Sequence, residues 1–246
     1  MIVRSKVLVM TTSDPELEPA YVLHSRKYRD TSLILELFTE REGRIAVVQR
    51  GARGAKKSST IQPFTPILVS YVGKGELKTL TKIDAGSMQY LSGDQLLLGM
   101  YANELLVRLM GKHIPAVMLF QSYQSLLLSL VASDSYTVEL RRFELRLLEE
   151  LGYGISFAFE AISGDMVEPD SYYRFVSDEG FYPITAETKN SYRGAHLLSI
   201  ADGELDTPEV EQTARQVIRL AIARLLGDRP LRSRELFMQL NSSRSS

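Results

Sequence analysis

The hydrophobic pattern of this sequence changes its period once, near Ser92, and the change divides the chain into two structural classes. Before Ser92, short runs rich in Val, Ile, Leu, Tyr and Thr alternate between apolar and polar residues, the pattern of half-buried β-strands. The predicted strands are residues 20–27, 33–38, 44–49, 67–71 and 77–85. Turn-forming residues separate them, as between antiparallel neighbours. Five short strands in so short a segment predict a small closed or nearly closed barrel.

After Ser92 the apolar residues recur about every 3.6 positions, which predicts amphipathic helices. The predicted helices are residues 94–111, 115–132, 138–151 and 207–227. Gly152 stands where a left-handed C-terminal cap is expected, and Thr207-Pro208 provide a good N-cap and first helical residue. The apolar stripe of the first helix is expected to consist of Leu97, Met100, Tyr101, Leu105 and Leu109.

The expected fold class is α+β, with a five-stranded barrel followed by an α-helical domain. We divide the chain into an N-terminal extension (residues 1–19), a barrel domain (20–88) and a helical domain (89–246). Regular periodicity is lost at about residues 153–206, where short aromatic stretches appear instead. We expect a small irregular insertion there, with room for one hairpin.

Composition excludes several classes of protein. The 246 residues are 44% hydrophobic and 24% charged, values typical of a folded chain with a substantial core. The absence of cysteine excludes disulfides and thiolate metal sites, and nothing in the sequence requires an oxidising compartment. No apolar run approaches the ~20 residues of a membrane span. We therefore expect a soluble, cytoplasmic protein that does not insert in a membrane.

Known catalytic signatures fail on their spacing. The sequence has no Gly-x-Ser-x-Gly nucleophile elbow, and the glycine-rich segment 51–58 lacks the glycine and lysine spacing of a phosphate-binding loop. The remaining candidates are isolated histidines and loop carboxylates, namely His24, His113, His196, Asp165, Glu168 and Asp170. The histidines have no partner at metal-ligand spacing, and the carboxylates are interpreted as a solvated loop. We expect no catalytic site, no metal and no cofactor.

The net charge of −1 conceals a strong asymmetry along the chain. Residues 21–82 carry twelve Lys/Arg against five Asp/Glu, a net of +7, whereas residues 83–246 carry fifteen against twenty-two, a net of −7. Between Arg41 and Thr60, six cations face a single anion, Glu42, in a Gly/Ala/Ser-rich setting. Such a segment cannot bury itself, so it is expected to form an exposed loop after the third strand.

A cationic loop on a small barrel favours nucleic-acid binding. Phosphates are repeating anions, so such binding weakens steeply as salt rises. The five-stranded OB barrel is the commonest architecture of this size that binds nucleic acid. The candidate nucleic-acid-binding residues are Arg26, Lys27, Arg44, Arg50, Arg53, Lys56, Lys57, Lys74 and Lys78. Tyr28, Phe64 and Tyr71 are candidate platforms for stacked bases, with core packing as the alternative, above all for Phe64.

A series of short motifs follows the order found in one known family. In the barrel they are Ala20-Tyr-Val-Leu-His-Ser-Arg26, Asp30-Thr-Ser-Leu33, Phe38-Thr-Glu40, Gly43-Arg44, Gly51-Ala-Arg53, Gln62-Pro-Phe-Thr-Pro66 and Gly75-Glu-Leu-Lys-Thr-Leu80. In the helical region they are Tyr101-Ala-Asn-Glu-Leu-Leu106, Arg141-Arg-Phe-Glu-Leu145, Leu151-Gly-Tyr-Gly154 and Ser233-Arg-Glu-Leu-Phe237. From Ala20 to Phe237 the chain resembles RecO, a family of bacterial DNA repair and recombination mediators.

The resemblance implies an OB barrel joined to a helical domain, and a function without catalysis. RecO proteins bind single- and double-stranded DNA, anneal complementary strands, and work with RecR, and in many bacteria RecF, to load the RecA recombinase. Many also bind the acidic C-terminal tail of the single-stranded-DNA-binding protein, which needs a hydrophobic pocket rimmed by cations. Arg141 matches the family position for this tail, and Tyr101, Arg108 and Arg142 are its expected neighbours.

The sequence departs from many members of the family in one region. Those members hold a zinc ion with four cysteines in the segment that corresponds to residues 152–177, and this chain has no cysteine. The resemblance is therefore to the zinc-free type found in gammaproteobacteria. We expect aromatic residues to hold the segment instead, among them Tyr153, Phe157, Tyr172 and Phe175.

Two other functions remain open from the residues alone. One is an OB-fold RNA-binding module of translation or RNA processing, because charge does not distinguish the 2′-hydroxyl. The other is a structural adaptor whose basic face only keeps the protein in solution. A DNA-binding function would place the protein at the nucleoid.

Overall fold

The N-terminal part of the structure is a closed barrel. A computed structural model describes residues 17–51, 62–87, 90–132 and 136–244. The barrel strands are β1 (Glu18–Tyr28), β2 (Ser32–Thr39), β3 (Gly43–Gln49), β4 (Ile67–Val72) and β5 (Leu77–Ala85). They close in the order β1-β2-β3-β5-β4, with β3 and β5 parallel and the other pairs antiparallel. The predicted five-stranded barrel is confirmed, although β1 begins at Glu18 rather than at residue 20.

Alternate residues of the strands fill the barrel, as the period of two requires. Its interior is formed by Ala20, Val22, Leu35, Leu37, Ile45, Val47, Ile67 and Val69. A bulge between Val22 and His24 shifts the β1–β2 register, and residues 24–27 beyond it are all exposed. The β1 side of this hairpin end therefore faces solvent, whereas Ile34 and Leu35 on β2 are buried.

Part of the outer barrel surface packs against the helices. The Phe38 ring lies 5.3 Å from the Phe120 ring, centroid to centroid. Asn103 Nδ2 donates a 3.0 Å hydrogen bond to the carbonyl oxygen of Leu23, and the Tyr123 hydroxyl donates to Asn103 Oδ1. Leu23, Phe38, Phe120 and Tyr123 belong to the hydrophobic core that the barrel and the helices share. Asn103 is a buried polar residue. These interactions fix the barrel on the helical domain.

The four predicted helices are all present, together with two that were not predicted. The described helices are α1 (Gly93–Leu109), α2 (Val117–Ala132), α3 (Tyr136–Glu150), α4 (Gly194–Ala201), α5 (Pro208–Leu226) and α6 (Arg232–Arg244). Gly152 has a φ of 81°, and the Tyr153 amide donates to the Leu148 carbonyl at 2.8 Å, so the expected left-handed cap closes α3. Met100 was wrongly placed on the buried stripe of α1, since it is 37% exposed. None of the described helices combines the length and apolar character needed to cross a bilayer.

The insertion after α3 is more regular than expected. It contains a three-stranded sheet, in the order β7-β6-β8, whose strands are β6 (Tyr172–Val176), β7 (Gly180–Ile184) and β8 (Tyr192–Arg193). The Phe181 ring lies within about 5–6 Å of the rings of Phe157, Phe175 and Tyr192, so aromatic packing holds this segment. Tyr153 was expected to take part but is 47% exposed.

Candidate nucleic-acid interface

An open groove lies on the outer face of the barrel, where the β1–β2 hairpin meets the end of β3 and the start of β5. It encloses about 520 Å³ and is lined by Tyr28, Arg29, Thr31, Ser32, Val48, Arg50, Leu77 and Thr79. Tyr28 pairs with Ser32 in the hairpin, and Val48 pairs with Thr79 across β3 and β5. Because paired residues share a face of the sheet, the strand register itself brings these side chains together.

Two arginines and one aromatic ring carry the chemistry of this groove. Arg29 occupies the hairpin turn with a φ of 49°, and its guanidinium lies 5.2 Å from the centroid of the Tyr28 ring. Arg50 is exposed at the end of β3 and is followed by Gly51, whose φ of 63° turns the chain away. The groove thus combines donors for phosphate oxygens with a flat apolar surface. Arg29 was not predicted as a site residue, because it was interpreted only as part of the turn between the first two strands.

The other exposed candidates surround this groove. Arg26 and Lys27 are exposed on β1, and Lys74 is exposed in the turn between β4 and β5. Arg53, Lys56 and Lys57 lie outside the described residues, in the segment that follows Gly51.

Arg44 is not one of the exposed cations around the groove. Its Nη1 donates a 2.6 Å hydrogen bond to the carbonyl oxygen of Val107 in α1, and its Nε is buried. The guanidinium is therefore a link between the barrel and the helical domain. The prediction of Arg44 as a phosphate ligand is corrected, because the helical domain already occupies that end of β3.

Lys78 is also engaged within the protein. Its ammonium forms an ion pair with Glu42, lies 4.7 Å from the centroid of the Tyr71 ring, and belongs to a side chain that is only 12% exposed. The turn between β2 and β3 supplies Glu42, which neutralises the lysine. Lys78 is thus a structural residue rather than a member of the exposed cationic surface.

Of the three aromatic candidates, only Tyr28 lines the groove. Phe64 is 6% exposed and packs in the shared core, where its ring lies close to Gly99 of α1. The Tyr71 hydroxyl donates to the carboxylate of Glu18, and burial together with this carboxylate raises the pKa of Tyr71. Phe64 and Tyr71 therefore serve the fold, as the core alternative anticipated.

The residues predicted for a partner peptide include a buried charged cluster. Arg141 Nε lies 3.2 Å from Glu144 Oε2 and 3.7 Å from Glu211 Oε1, and its side chain is 8% exposed. The Tyr101 hydroxyl donates to Glu144 Oε1 at 2.6 Å. Burial raises the pKa of Glu144 although Arg141 opposes the shift, and burial with the Glu144 charge raises the pKa of Tyr101. Arg141 and Tyr101 are adjacent, as expected, but both face inward.

Arg108 and Arg142 do not join that cluster. Arg108 donates to the carbonyl oxygens of Arg229 and Pro230 at 2.7 and 2.8 Å, so it holds the chain that enters α6. Arg142 is exposed and pairs with Glu139, 2.6 Å away on the same helix. The expectation that the four residues rim one open pocket is therefore corrected. Sequence spacing placed them on two helices but did not show that internal carboxylates and carbonyls already bind the arginines.

No group of three or more His, Asp or Glu side chains with metal-binding geometry occurs within the part of the chain that the structure describes. His113 Nδ1 lies 3.6 Å from Glu42, and His196 Nδ1 lies 3.2 Å from the Thr213 hydroxyl. Each of these two histidines is thus accounted for by a local interaction.

Comparison with known proteins shows the family to which this chain belongs. The model for the recombination protein O N terminal domain matches residues 15–87, and the model for the recombination protein O C terminal domain matches residues 91–235. The chain is 42% identical over 224 residues to the DNA repair protein RecO of Methylococcus capsulatus, which covers 90% of this chain and 92% of that protein. It is 40% identical over 227 residues to the DNA repair protein RecO of Haemophilus influenzae, covering 91% and 96% respectively. This chain therefore belongs to the RecO family.

Proposed function

We propose that this protein is a non-catalytic DNA-binding protein of DNA repair and homologous recombination. It binds single- and double-stranded DNA, anneals complementary strands, and helps RecR, with RecF where that protein takes part, to load the RecA recombinase. Two matching family models and relatives at about 40% identity over nine tenths of the chain support the assignment to DNA repair. In the structure, the site that we assign to DNA binding is the barrel groove.

The single observation that carries the DNA-binding proposal is the convergence of Tyr28, Arg29 and Arg50 in that groove. Each arginine offers a planar set of donors that matches two phosphate oxygens, and the tyrosine offers a face for an unpaired base. Thr31, Ser32 and Thr79 also line the groove, and a hydroxyl group can donate to a phosphate oxygen. Arg53, Lys56 and Lys57 follow Gly51 in the sequence and add three cations to the same basic segment.

The mechanism of annealing is electrostatic. Two complementary strands repel each other through their phosphates, and cations on one surface reduce that repulsion so that base pairing can begin. An open groove accommodates backbone without enclosing the bases, which leaves the pairing edges free. No bond is made or broken, so the protein needs no catalytic residue.

We assign Arg141 to the acidic tail of the single-stranded-DNA-binding protein. Arg141 is held between the carboxylates of Glu144 and Glu211, and the Glu211 side chain is the more exposed of the two. A terminal carboxylate of the tail would take the place of Glu211 beside Arg141. Binding through this exchange brings the protein to coated single strands in the cytoplasm, at the nucleoid.

The proposal is tested by annealing of complementary strands coated with their cognate binding protein. The variant Arg29→Glu/Arg50→Glu is compared with Lys189→Glu/Arg219→Glu, which changes the charge equally at exposed residues outside the barrel. We expect the first variant to lose most of its annealing rate and the second to retain it. Equal rates for both variants, with both folded by circular dichroism, would contradict the groove assignment. Stronger competition by RNA than by DNA of the same sequence would favour the RNA-binding alternative.

A further inference from the structure

A second groove lies on the helical domain, between the end of α3, the insertion and α5. It encloses about 440 Å³, and its apolar walls include Tyr153, Ile155, Phe159, Phe175 and Ala221. The left-handed cap at Gly152 directs the chain out of α3 and along this wall. We call this cleft the aromatic groove.

Several large apolar side chains beside the aromatic groove are exposed although their backbone is held in place. Tyr153 and Phe159 are 47% and 49% exposed, and Met166, the bridge partner of Phe159, is 62% exposed. The hairpin that carries Phe159 and Met166 is closed by the Val167 amide, which donates to the Ala158 carbonyl at 2.9 Å. A fixed cluster of exposed apolar groups beside a groove is typical of an interaction surface.

The charge around the aromatic groove is mostly negative. Residues 153–180 carry six Asp/Glu and a single Arg, and the groove itself is lined by Glu160, Asp178 and Glu179. The single arginine, Arg174, lies over the Tyr182 ring at 4.7 Å from its centroid. This surface repels a polyanion, so it is a poor site for DNA.

The three carboxylates are only partly satisfied within the protein. Glu160 accepts hydrogen bonds from the hydroxyls of Tyr173 and Ser163, and Glu179 accepts one from Tyr182. A hydroxyl donor leaves the negative charge in place. Asp178 pairs with Arg224 at 3.3 Å, but both side chains are largely exposed, so this pair contributes little.

We propose that the aromatic groove binds a basic segment of a partner protein in which an Arg or Lys stands beside an apolar residue. The cation lies between the carboxylates with its stem against the rings of Tyr153 and Phe159, where both cation–π attraction and apolar contact are available. The flanking apolar residue covers Met166. The Asp178–Arg224 pair is an internal example of the same interaction between a carboxylate and an arginine. The partner's cation either takes the place of Arg224 or binds beside it.

The test measures binding of a fluorescein-labelled peptide, capped at both ends, with the sequence Leu-Arg-Leu-Arg-Leu-Arg to the full chain by fluorescence anisotropy. The variants are Asp178→Asn/Glu179→Gln, Phe159→Ser, and the charge-matched control Asp202→Asn/Glu204→Gln at exposed residues after α4. We expect each groove variant to weaken binding at least tenfold and the control to change it less than twofold. The groove variants should anneal DNA at the rate of the unmodified protein, because they leave the barrel unchanged.

Two control peptides and a measurement of the protein's oligomeric state complete the test. Replacing the peptide's arginines by glutamate, or its leucines by serine, should each abolish binding. Absence of binding by the original peptide, or equal binding to groove and control variants, would overturn the proposal. Sedimentation of the protein alone should show no association that depends on the aromatic groove. A dimer that Phe159→Ser dissociates would assign the groove to a second copy of the chain and also overturn it.

Discussion

The guanidinium of Arg29 lies over the ring of Tyr28, although the two residues are neighbours in sequence and one of them forms a turn. The left-handed backbone of Arg29 folds its side chain back over the preceding tyrosine. Both residues line the barrel groove, and Arg50 lines it as well. We therefore expect the cation and the ring to contact a nucleic acid together.

Reversing the two groove arginines should reduce both affinity and salt dependence. For a single strand, removing the cation that binds one phosphate lowers the slope of log K against log salt by ~0.7, so Arg29→Glu/Arg50→Glu should lower it by at least ~1.4. Anisotropy titrations of an unstructured oligonucleotide from low to moderate salt measure this slope. Arg219→Glu, on α5, should leave it unchanged. An unaltered slope in the double variant would place the phosphate-binding residues elsewhere.

Removing the ring should affect single strands more than duplexes. Tyr28→Ala deletes the stacking surface, and loss of one stacked base costs about 1–3 kcal/mol. In a duplex the bases are already stacked, so the same change should have little effect on its binding. Parallel titrations with single- and double-stranded DNA give the comparison. Equal losses for the two forms would mean that Tyr28 supports the fold of the hairpin and does not stack on a base.

Arg141 and Glu211 should have opposite effects on binding of the acidic tail peptide. Arg141→Ala removes the cation and should weaken binding more than tenfold, which corresponds to about 1.4 kcal/mol. Glu211→Gln removes the internal competitor 3.7 Å from Arg141 Nε and should strengthen binding. Isothermal titration with the tail peptide measures both. If neither variant changes the affinity, the peptide binds at another site.

The junction between barrel and helices should depend on Asn103. Its amide donates to Leu23 of β1 and accepts from Tyr123 of α2, and all three groups are buried. Asn103→Ala leaves the Leu23 carbonyl and the Tyr123 hydroxyl without partners, at a cost of about 1–3 kcal/mol for each buried group. Urea unfolding should show this loss, while Gln121→Ala, at an exposed position of α2, should be close to neutral. A loss below ~0.5 kcal/mol for Asn103→Ala would contradict the role given to this residue.

Docking of α6 should weaken in acid. Burial acts to raise the pKa of Glu104, but donors from the Ser233 and Arg232 backbone outweigh it and hold that pKa below its usual value. A depressed carboxyl pKa stabilises the fold above the unfolded value of 4.5, and that contribution disappears as the pH falls through the folded value. The protection of the α6 amides against hydrogen exchange, corrected for the intrinsic exchange rate at each pH, should therefore fall below about pH 4.5. In Glu104→Gln this protection should be lower at neutral pH and change less on acidification, whereas Glu150→Gln should resemble the unmodified protein.

The barrel was predictable because local pattern determines it. Alternation and turn residues place all five strands within about two residues of their observed bounds. The insertion was not predictable in the same way. Its sheet depends on β8, only two residues long, which pairs with β6 twenty residues earlier along the chain. Helix α4 has only eight residues, too few for a clear helical period.

The candidate site was predictable in part, because charge density is local whereas exposure is not. Arg50 stands in the dense basic segment and is exposed, as expected. Arg44 belongs to the same segment, yet its partner Val107 is 63 residues away, so only the tertiary structure shows that it is engaged. Phe64 is likewise buried by α1, at a distance that sequence spacing does not reveal.

The most direct measurement of the central claim is a map of where DNA touches the protein. A single strand substituted with bromodeoxyuridine is crosslinked by ultraviolet light, and the modified peptides are identified by mass spectrometry. The account predicts crosslinks to the peptides that contain Tyr28 and Arg50, and their loss in Tyr28→Ala. Crosslinks confined to the helical domain, with the barrel peptides unmodified, would contradict it.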